Sequence, residues 1–210
     1  MASGRSSGRR PLSFAKEPQV PPLSSFAVLG LPIQTSSLVL RHLTLEDVSR
    51  ILELNAEPST RHWLPSHVYA DCEEAKAALE FLIASYLEPG HPQRGPYVLA
   101  IEQRSTKQLI GHVGFSPLND AVEVSYAVAE FARGQGFGVE ALDHACDWIS
   151  QTFRLPGLIA VTAAVNIGSR RVLQRARFAH IRDEAMRFQG VHQIVSRYRR
   201  EATPVGCGGA

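Results

Sequence analysis

At 210 residues, 44% of them hydrophobic and 20% charged, the chain has the length of one medium domain with tails and the composition of an ordinary globular protein. No apolar run reaches the ~18 residues of a membrane-spanning helix, and the N-terminus lacks the apolar core of a secretory signal. The net charge is +2, with +3 in residues 1–36 and −1 in the rest, so the body has no basic excess for nucleic acid and none for a membrane surface.

Residues 1–35 form a basic stretch rich in Ser, Gly, Arg and Pro as far as Pro22. It reads as a disordered, solvated extension, with a transit peptide as the other reading because early acidic residues are absent. A strand is expected over Leu38–Leu43. A helix capped by Thr44 follows, with Asp47 three positions later, and then a short segment ending at His62-Trp63-Leu64-Pro65. Asp71 caps a longer helix with Glu74 in a capping box, and Ala75, Ala78, Leu79, Leu82 and Ile83 hold helical spacing. After the loop Glu88–Pro92, strands are expected over Tyr97–Glu102 and Leu109–Ser116, joined by the polar turn Arg104–Gln108.

The fourth expected strand is Val122–Val128, whose alternation places Glu123 and Ser125 on one face. Arg133-Gly134-Gln135-Gly136-Phe137-Gly138 comes next. Val139, Leu142, Cys146, Ile149 and Phe153 then mark an amphipathic helix closed by Arg154, Pro156 and Gly157. Leu158–Val165 is apolar throughout and suits a strand buried on both faces. Together these form a βαβ unit with a parallel pair. A short helix from Ser169 to Ala176 and a hairpin turning at Gln189-Gly190 complete the domain over residues 36–202, with residues 203–210 expected to be loose. The fold class is α+β: a mixed, mostly antiparallel sheet with one parallel step and helices on both faces.

The glycine stretch carries the chemistry. Three glycines in five positions leave backbone N–H groups unobstructed, and the helix that begins there adds unpaired donors and a positive dipole end, a seat for phosphate. A dinucleotide-binding G-x-G-x-x-G needs glycine at 139, where Val139 stands, and the next strand lacks the acidic residue that would hold a ribose. A G-x-x-x-x-G-K-[ST] loop is absent, since the chain has no Gly-Lys pair. The pattern R/Q-x-x-G-x-G/A is met at every position by Arg133, Gly136 and Gly138.

That pattern resembles the coenzyme A pyrophosphate loop of the GNAT acetyltransferase superfamily. Leu38-Val39-Leu40-Arg41, Ile110-Gly111-His112-Val113-Gly114-Phe115, and Asn166 with Ser169, Val172 and Leu173 extend the likeness, in its RimJ/RimL-like branch, over roughly residues 36–200. The resemblance implies acetyl transfer from acetyl-CoA directly to a primary amine, either a protein N-terminal α-amine or a small molecule. It places residues 133–138 (Arg133, Gly134, Gln135, Gly136, Phe137, Gly138) and Asn166 on the coenzyme. The backbone of Ala127 and Val128 would bind the pantetheine arm and polarise the carbonyl. Glu123 would take the amine's proton through water, and Ser169 would protonate the thiolate. Asn166 and Ser169 also read simply as helix caps, and Glu123 as a structural strand residue. Arg170 and Arg171 are candidates for the 3′-phosphate or for a solvated helix face.

Three positions depart from the family pattern. Leu173 stands where many members have a tyrosine acid. Arg177 stands where a glycine usually precedes the phenylalanine, and Gln193 near a position often held by aspartate. The rival from another class is a non-catalytic acyl-CoA-binding module on the same fold. Three widely spaced cysteines, Cys72, Cys146 and Cys207, suit a reducing, cytoplasmic setting and provide no activated nucleophile. No metal-ligand spacing occurs, and either a monomer or a homodimer is compatible with the chain.

Overall fold

A computed structural model describes residues 30–87 and 90–202. The first strands are Ile33–Gln34 (β1), Leu38–His42 (β2), Tyr97–Gln103 (β3), Leu109–Leu118 (β4) and Ala121–Val128 (β5). Gly157–Ala163 (β6), Ala179–Phe188 (β7) and Val191–Glu201 (β8) follow. They form one eight-stranded sheet in the order β1-β2-β3-β4-β5-β6-β8-β7. Every neighbouring pair is antiparallel except β5 and β6. The helices are Val48–Ala56 (α1), Pro58–Trp63 (α2), Cys72–Ser85 (α3), Phe137–Phe153 (α4) and Ile167–Arg175 (α5).

The alternation on β5 decides what each face does. Val122, Val124 and Val128 are buried, while Glu123, Ser125 and Ala127 on the other face are partly exposed. A Cβ built on Gly138 of α4 would touch Tyr126 and Val128, so α4 covers the first of these faces. α1 and α3 pack together against β4 and β3 on the opposite face. β4 lies between the two layers and is buried from Leu109 through Phe115. Its Gly111 permits a close strand approach, since a Cβ there would stand 2.2 Å from the Ala127 carbonyl oxygen.

Several boundaries differ from expectation for local reasons. The first helix is preceded by a 3-10 turn at Leu45–Asp47, where the Thr44–Asp47 capping box does form. Asn166, not a later residue, caps α5, so the helix begins at Ile167. Leu158–Val165 was expected to be a strand buried on both faces. It ends instead at Ala163, with Ile159 and Val161 only half-buried and Val165 at 74% exposure. Gln189 and Gly190 both take positive φ, 50° and 84°, as a tight two-residue hairpin turn requires. Arg177, in the position of the family's glycine, keeps the left-handed backbone at φ 65°. Its guanidinium reaches Asp143 and Asp147 on α4.

Most of the expected N-terminal tail, residues 1–29, and the C-terminal segment 203–210 lie outside the described residues. The strand β1 lies upstream of the expected boundary at 36 and pairs with β2. The following turn is tied to α4: Glu140 Oε1 accepts from Thr35 Oγ1 at 2.6 Å, Ser36 Oγ at 2.8 Å and the Ser37 amide at 2.7 Å.

Burial alone would push the Glu140 carboxyl up, but these donors outweigh it and hold it below the ordinary carboxylate range. A depressed folded pKa stabilises fully above the unfolded value near ~4.3 and is lost as pH falls through the folded value. Glu140→Gln is therefore expected to lower Tm at pH 7, with the gap to the wild type closing in acid. Thermal melts of both proteins across pH 3 to 7 check this.

Candidate active site

The glycine stretch turns from β5 into α4. Gly134 and Gly136 have φ of 77° and 89°, and nothing lies within 4 Å of a Cβ built on either. The left-handed backbone favours glycine there, and the open space lets a ligand approach the chain. Gly136 caps α4 without a side chain, and its carbonyl accepts from both Val139 and Glu140. The N–H groups of Phe137 and Gly138 consequently have no acceptor inside the helix and sit at its positive end. These donors and the bare glycines fit a pyrophosphate.

Arg133 directs its side chain away from this seat. Its Nε donates to the Val128 carbonyl at 2.8 Å and one terminal nitrogen to Ser59 Oγ of α2 at 2.6 Å. Ser59 in turn donates its amide to Glu130 at 3.0 Å. Arg133 thus holds the loop in place, and its backbone, not its charge, faces the seat. Gln135 is also turned out, donating to the Phe131 carbonyl at 3.3 Å.

Beyond the loop, β5 and β6 separate. Their parallel ladder has a single rung, Glu123 with Ile159. The Ala129 amide donates to the carbonyl of Ile110, directly opposite on β4, at 2.7 Å. Antiparallel pairing alternates, so Ala127 also directs its N–H to β4, whereas Tyr126 and Val128 direct theirs towards β6. Past the last rung those two donors meet no strand. Of the expected backbone pair, Val128 directs its N–H to the gap together with Tyr126, whereas Ala127 directs its own to β4, and both Ala127 and Val128 line the space beyond.

A cavity of about 430 Å³ occupies this gap and runs to the glycine seat. Every expected site residue lines it except Glu123, Gln135 and the phosphate candidate Arg170. The half-buried Val161 of β6 and Ala163 line it too, which explains an apolar strand that the protein leaves partly uncovered.

Asn166 Oδ1 accepts the Ser169 amide at 3.0 Å, so its side chain acts as the α5 cap. Ser169 Oγ faces a group that sequence reasoning passed over: the Tyr126 hydroxyl donates to it at 3.2 Å. Burial pushes the Tyr126 phenol up to about 12, so it stays a donor at neutral pH. The signal was present in the alternation, which put Tyr126 opposite Glu123 and towards α4. Leu173, at the family's tyrosine position, is buried and lines the same cavity.

Glu123 lies on the other face, across from Ser116 of β4. Burial raises its carboxyl, partly opposed by Arg197. Arg170 is turned inward to Tyr198 Oη at 3.2 Å and the Ala164 carbonyl at 3.1 Å. Arg171 lines the cavity, joined by Arg175, which was not singled out from sequence. Cys146 is fully buried and its thiol is pushed up to about 12, unsuited to a covalent route.

The family model of the acetyltransferase (GNAT) domain matches residues 37–179. The chain belongs to the GNAT acetyltransferases. It is an enzyme that moves an acetyl group from acetyl-CoA to an amine, so the reading as a binding module without catalysis is not favoured. An uncharacterized N-acetyltransferase, YoaA of Bacillus subtilis (strain 168), is 25% identical over 149 residues, 70% of this chain and 81% of that protein. Among solved structures, the ribosomal-protein-S5-alanine acetyltransferase of Vibrio fischeri superposes with a TM-score of 0.71 at 16% identity, over 82% of this chain and 97% of that one. RimL, the ribosomal L7/L12 α-N-protein acetyltransferase solved with coenzyme A, superposes at 0.69 with 18% identity, over 81% and 97%. These neighbours share the fold of the chain. No helix among the described residues is long and apolar enough to cross a membrane. No group of three or more His, Cys, Asp or Glu among them could hold a metal ion.

In this acetyltransferase Gly138 gives the cleanest test of the coenzyme seat. A Cβ there would meet Val128, Val172 and Tyr126 at 3.6 to 3.8 Å, ordinary contact, and its φ is not left-handed. Gly138→Val should keep the fold and lose acetyl-CoA affinity, whereas Gly136→Val adds backbone strain. Calorimetric titration with acetyl-CoA, alongside melting curves, checks both.

Proposed function

We propose that the acceptor is an α-amine, with Glu123 as the group that takes its proton and Ser169, backed by Tyr126, as the group that returns one to the leaving sulfur. The observation that carries this reading is the division of the sheet. Glu123 lies on the α1–α3 face and the Tyr126–Ser169 pair on the α4–α5 face, with the β5–β6 gap between them. Acetyl-CoA supplies an activated thioester. The N–H groups of Tyr126 and Val128 are placed to bind its carbonyl oxygen as negative charge grows there. The amine's lone pair forms the C–N bond, the C–S bond breaks, and its electron pair leaves on sulfur. Glu123 receives the amine's proton through water, and Ser169 donates to the sulfur while Tyr126 donates to Ser169.

An α-amine suits a site with one acidic side chain near the gap. Its pKa of ~7.7–8.0 leaves it partly neutral at pH 7, whereas a lysine near 10.4 is almost wholly charged. The folds of two ribosomal-protein acetyltransferases, one of them an α-N-protein acetyltransferase, support the same reading. A cytoplasmic setting goes with this reading and with the unpaired Cys72 and Cys146.

Glu123→Gln should lower kcat by roughly 10²–10⁴-fold and flatten the acidic limb of the pH–rate profile. Because its carboxyl is raised by burial, that limb should lie above the ordinary carboxylate range. Ser169→Ala and Tyr126→Phe should lower kcat less and leave the limb in place, since a thiol of pKa ~8.5 leaves tolerably without help. Rates of all three variants from pH 5 to 9 with a peptide α-amine test the assignment. Wild-type rates for Glu123→Gln would remove it from proton transfer.

A further inference from the structure

The cavity between β5 and β6 opens at the glycine seat and is closed at its other end by the rung between Glu123 and Ile159. Rung partners share a face, and Glu123 lies on the α1–α3 face. The next residue on each strand, Val124 and Ala160, therefore points to the α4–α5 layer. Both are buried, at 3% and 2% exposure, and both line the cavity, so it reaches down to the rung. Leu173 of α5, which packs on β6, is buried and lines the cavity as well. Val124, Ala160 and Leu173 give this end a wall of hydrocarbon.

The closed end extends past what an acetyl group fills. Of the two N–H donors that face the gap, that of Tyr126 is the nearer to the rung. Two residues separate it from Val124, roughly 6–7 Å of strand. The phosphates belong at the glycines, at the open end. A thioester whose carbonyl oxygen meets the Tyr126 N–H therefore directs its acyl chain away from them, towards Val124 and Ala160. The methyl of an acetyl group lies only about 1.5 Å past the carbonyl carbon. On β6 the residue beside Val124 is small: Ala160 stands in a run whose neighbours are Leu158, Ile159 and Val161.

We propose that the closed end of the cleft is a pocket for the acyl chain, that the enzyme transfers propionyl and butyryl groups as well as acetyl, and that Ala160 sets the length admitted. The step is the same for each chain. The amine's lone pair forms the C–N bond to the acyl carbon, and the C–S bond breaks with its electron pair going to sulfur. The amine gives up one proton and the sulfur takes one, which leaves the longer amide and free coenzyme A. The inference rests on the thioester lying in the β5–β6 gap, but not on Glu123, on Ser169 or on which amine is acylated.

The test is calorimetric titration of the full chain with acetyl-CoA, propionyl-CoA and butyryl-CoA, with no amine present. The longer thioesters should bind at least as tightly as acetyl-CoA, with a gain of up to about fourfold for each methylene buried. Ala160→Val narrows the closed end from β6 and Leu173→Phe from α5. In each variant, with melting curves to show that it is folded, the order should reverse and butyryl-CoA should bind roughly tenfold more weakly than acetyl-CoA. Mass spectra of a peptide α-amine incubated with the wild type should show all three amides. Propionyl-CoA or butyryl-CoA binding the wild type more weakly than acetyl-CoA overturns the pocket and leaves acetyl transfer standing. An unchanged order in both folded variants overturns the roles of Ala160 and Leu173. Longer thioesters that bind but yield no longer amide, where acetyl-CoA yields its own, overturn the transfer. A peptide that takes no acyl group from any of the three counts against the α-amine reading, and the binding order still decides the pocket. A protein that binds none of them overturns the cleft as the coenzyme site and this inference with it.

Discussion

Everything at this site depends on one feature of the sheet: β5 and β6 meet at a single rung and then part. Each strand is fixed from its outer side. β5 is paired with β4 along its length, and β6 with β8 from Gly157 to Ala163. Between them, inward-facing backbone groups are left without strand partners. The Val128 carbonyl is met by Arg133. The N–H groups of Tyr126 and Val128 are not met by any strand, and an unpaired N–H in a sheet interior is tolerated only where solvent or a ligand reaches it. The gap is therefore a cost to the fold and, in the proposed function, the place where the thioester is held.

A second constraint keeps α4 aligned with that gap. Arg200 of β8 is 4% exposed at its side chain, 3.2 Å from Asp143 and 2.6 Å from Asp147 on α4, and it also donates to the Ala176 carbonyl after α5. Arg177 joins the same two carboxylates from the surface side. Two guanidinium groups on two carboxylates leave no buried charge unmatched, the condition under which such a cluster is tolerated. The cluster ties the last strand and the segment after α5 to the helix whose N-terminus is the proposed phosphate seat. Arg177 departs from the family's glycine without losing the turn, because the left-handed backbone is kept and the side chain gains two partners.

Local signals in the sequence were legible where one residue type answers one backbone demand. Gly134 and Gly136 take the left-handed conformation, Asn166 caps a helix, and the alternation of β5 separates Glu123 from Tyr126. What was hidden depended on partners far along the chain. β1 is two residues long and exists only through β2 and the Glu140 tether. Whether Ala127 or Tyr126 turns its N–H into the gap is set by register with β4, which no single-strand pattern reveals. The Leu158–Val165 run was apolar for a reason that periodicity cannot distinguish from burial, since it lines a cleft.

The arrangement also bears on why one chain would handle two protons without one short-circuiting the other. A base and an acid in direct contact share a proton, and neither then drives the reaction. Here a strand lies between the two proposed groups. Glu123 faces the α1–α3 layer, and the Tyr126 hydroxyl, three residues along the strand, faces α5, where Ser169 accepts from it. Odd spacing on a strand enforces opposite faces. Burial raises both groups, which brings the carboxylate closer to neutral pH as a base and keeps the phenol protonated as a donor. A cysteine route would need a thiolate at the gap, and Cys146 lies instead in the core, on the buried face of α4. The geometry thus favours a direct crossing of the sheet plane, with the amine entering from one face and the sulfur protonated from the other.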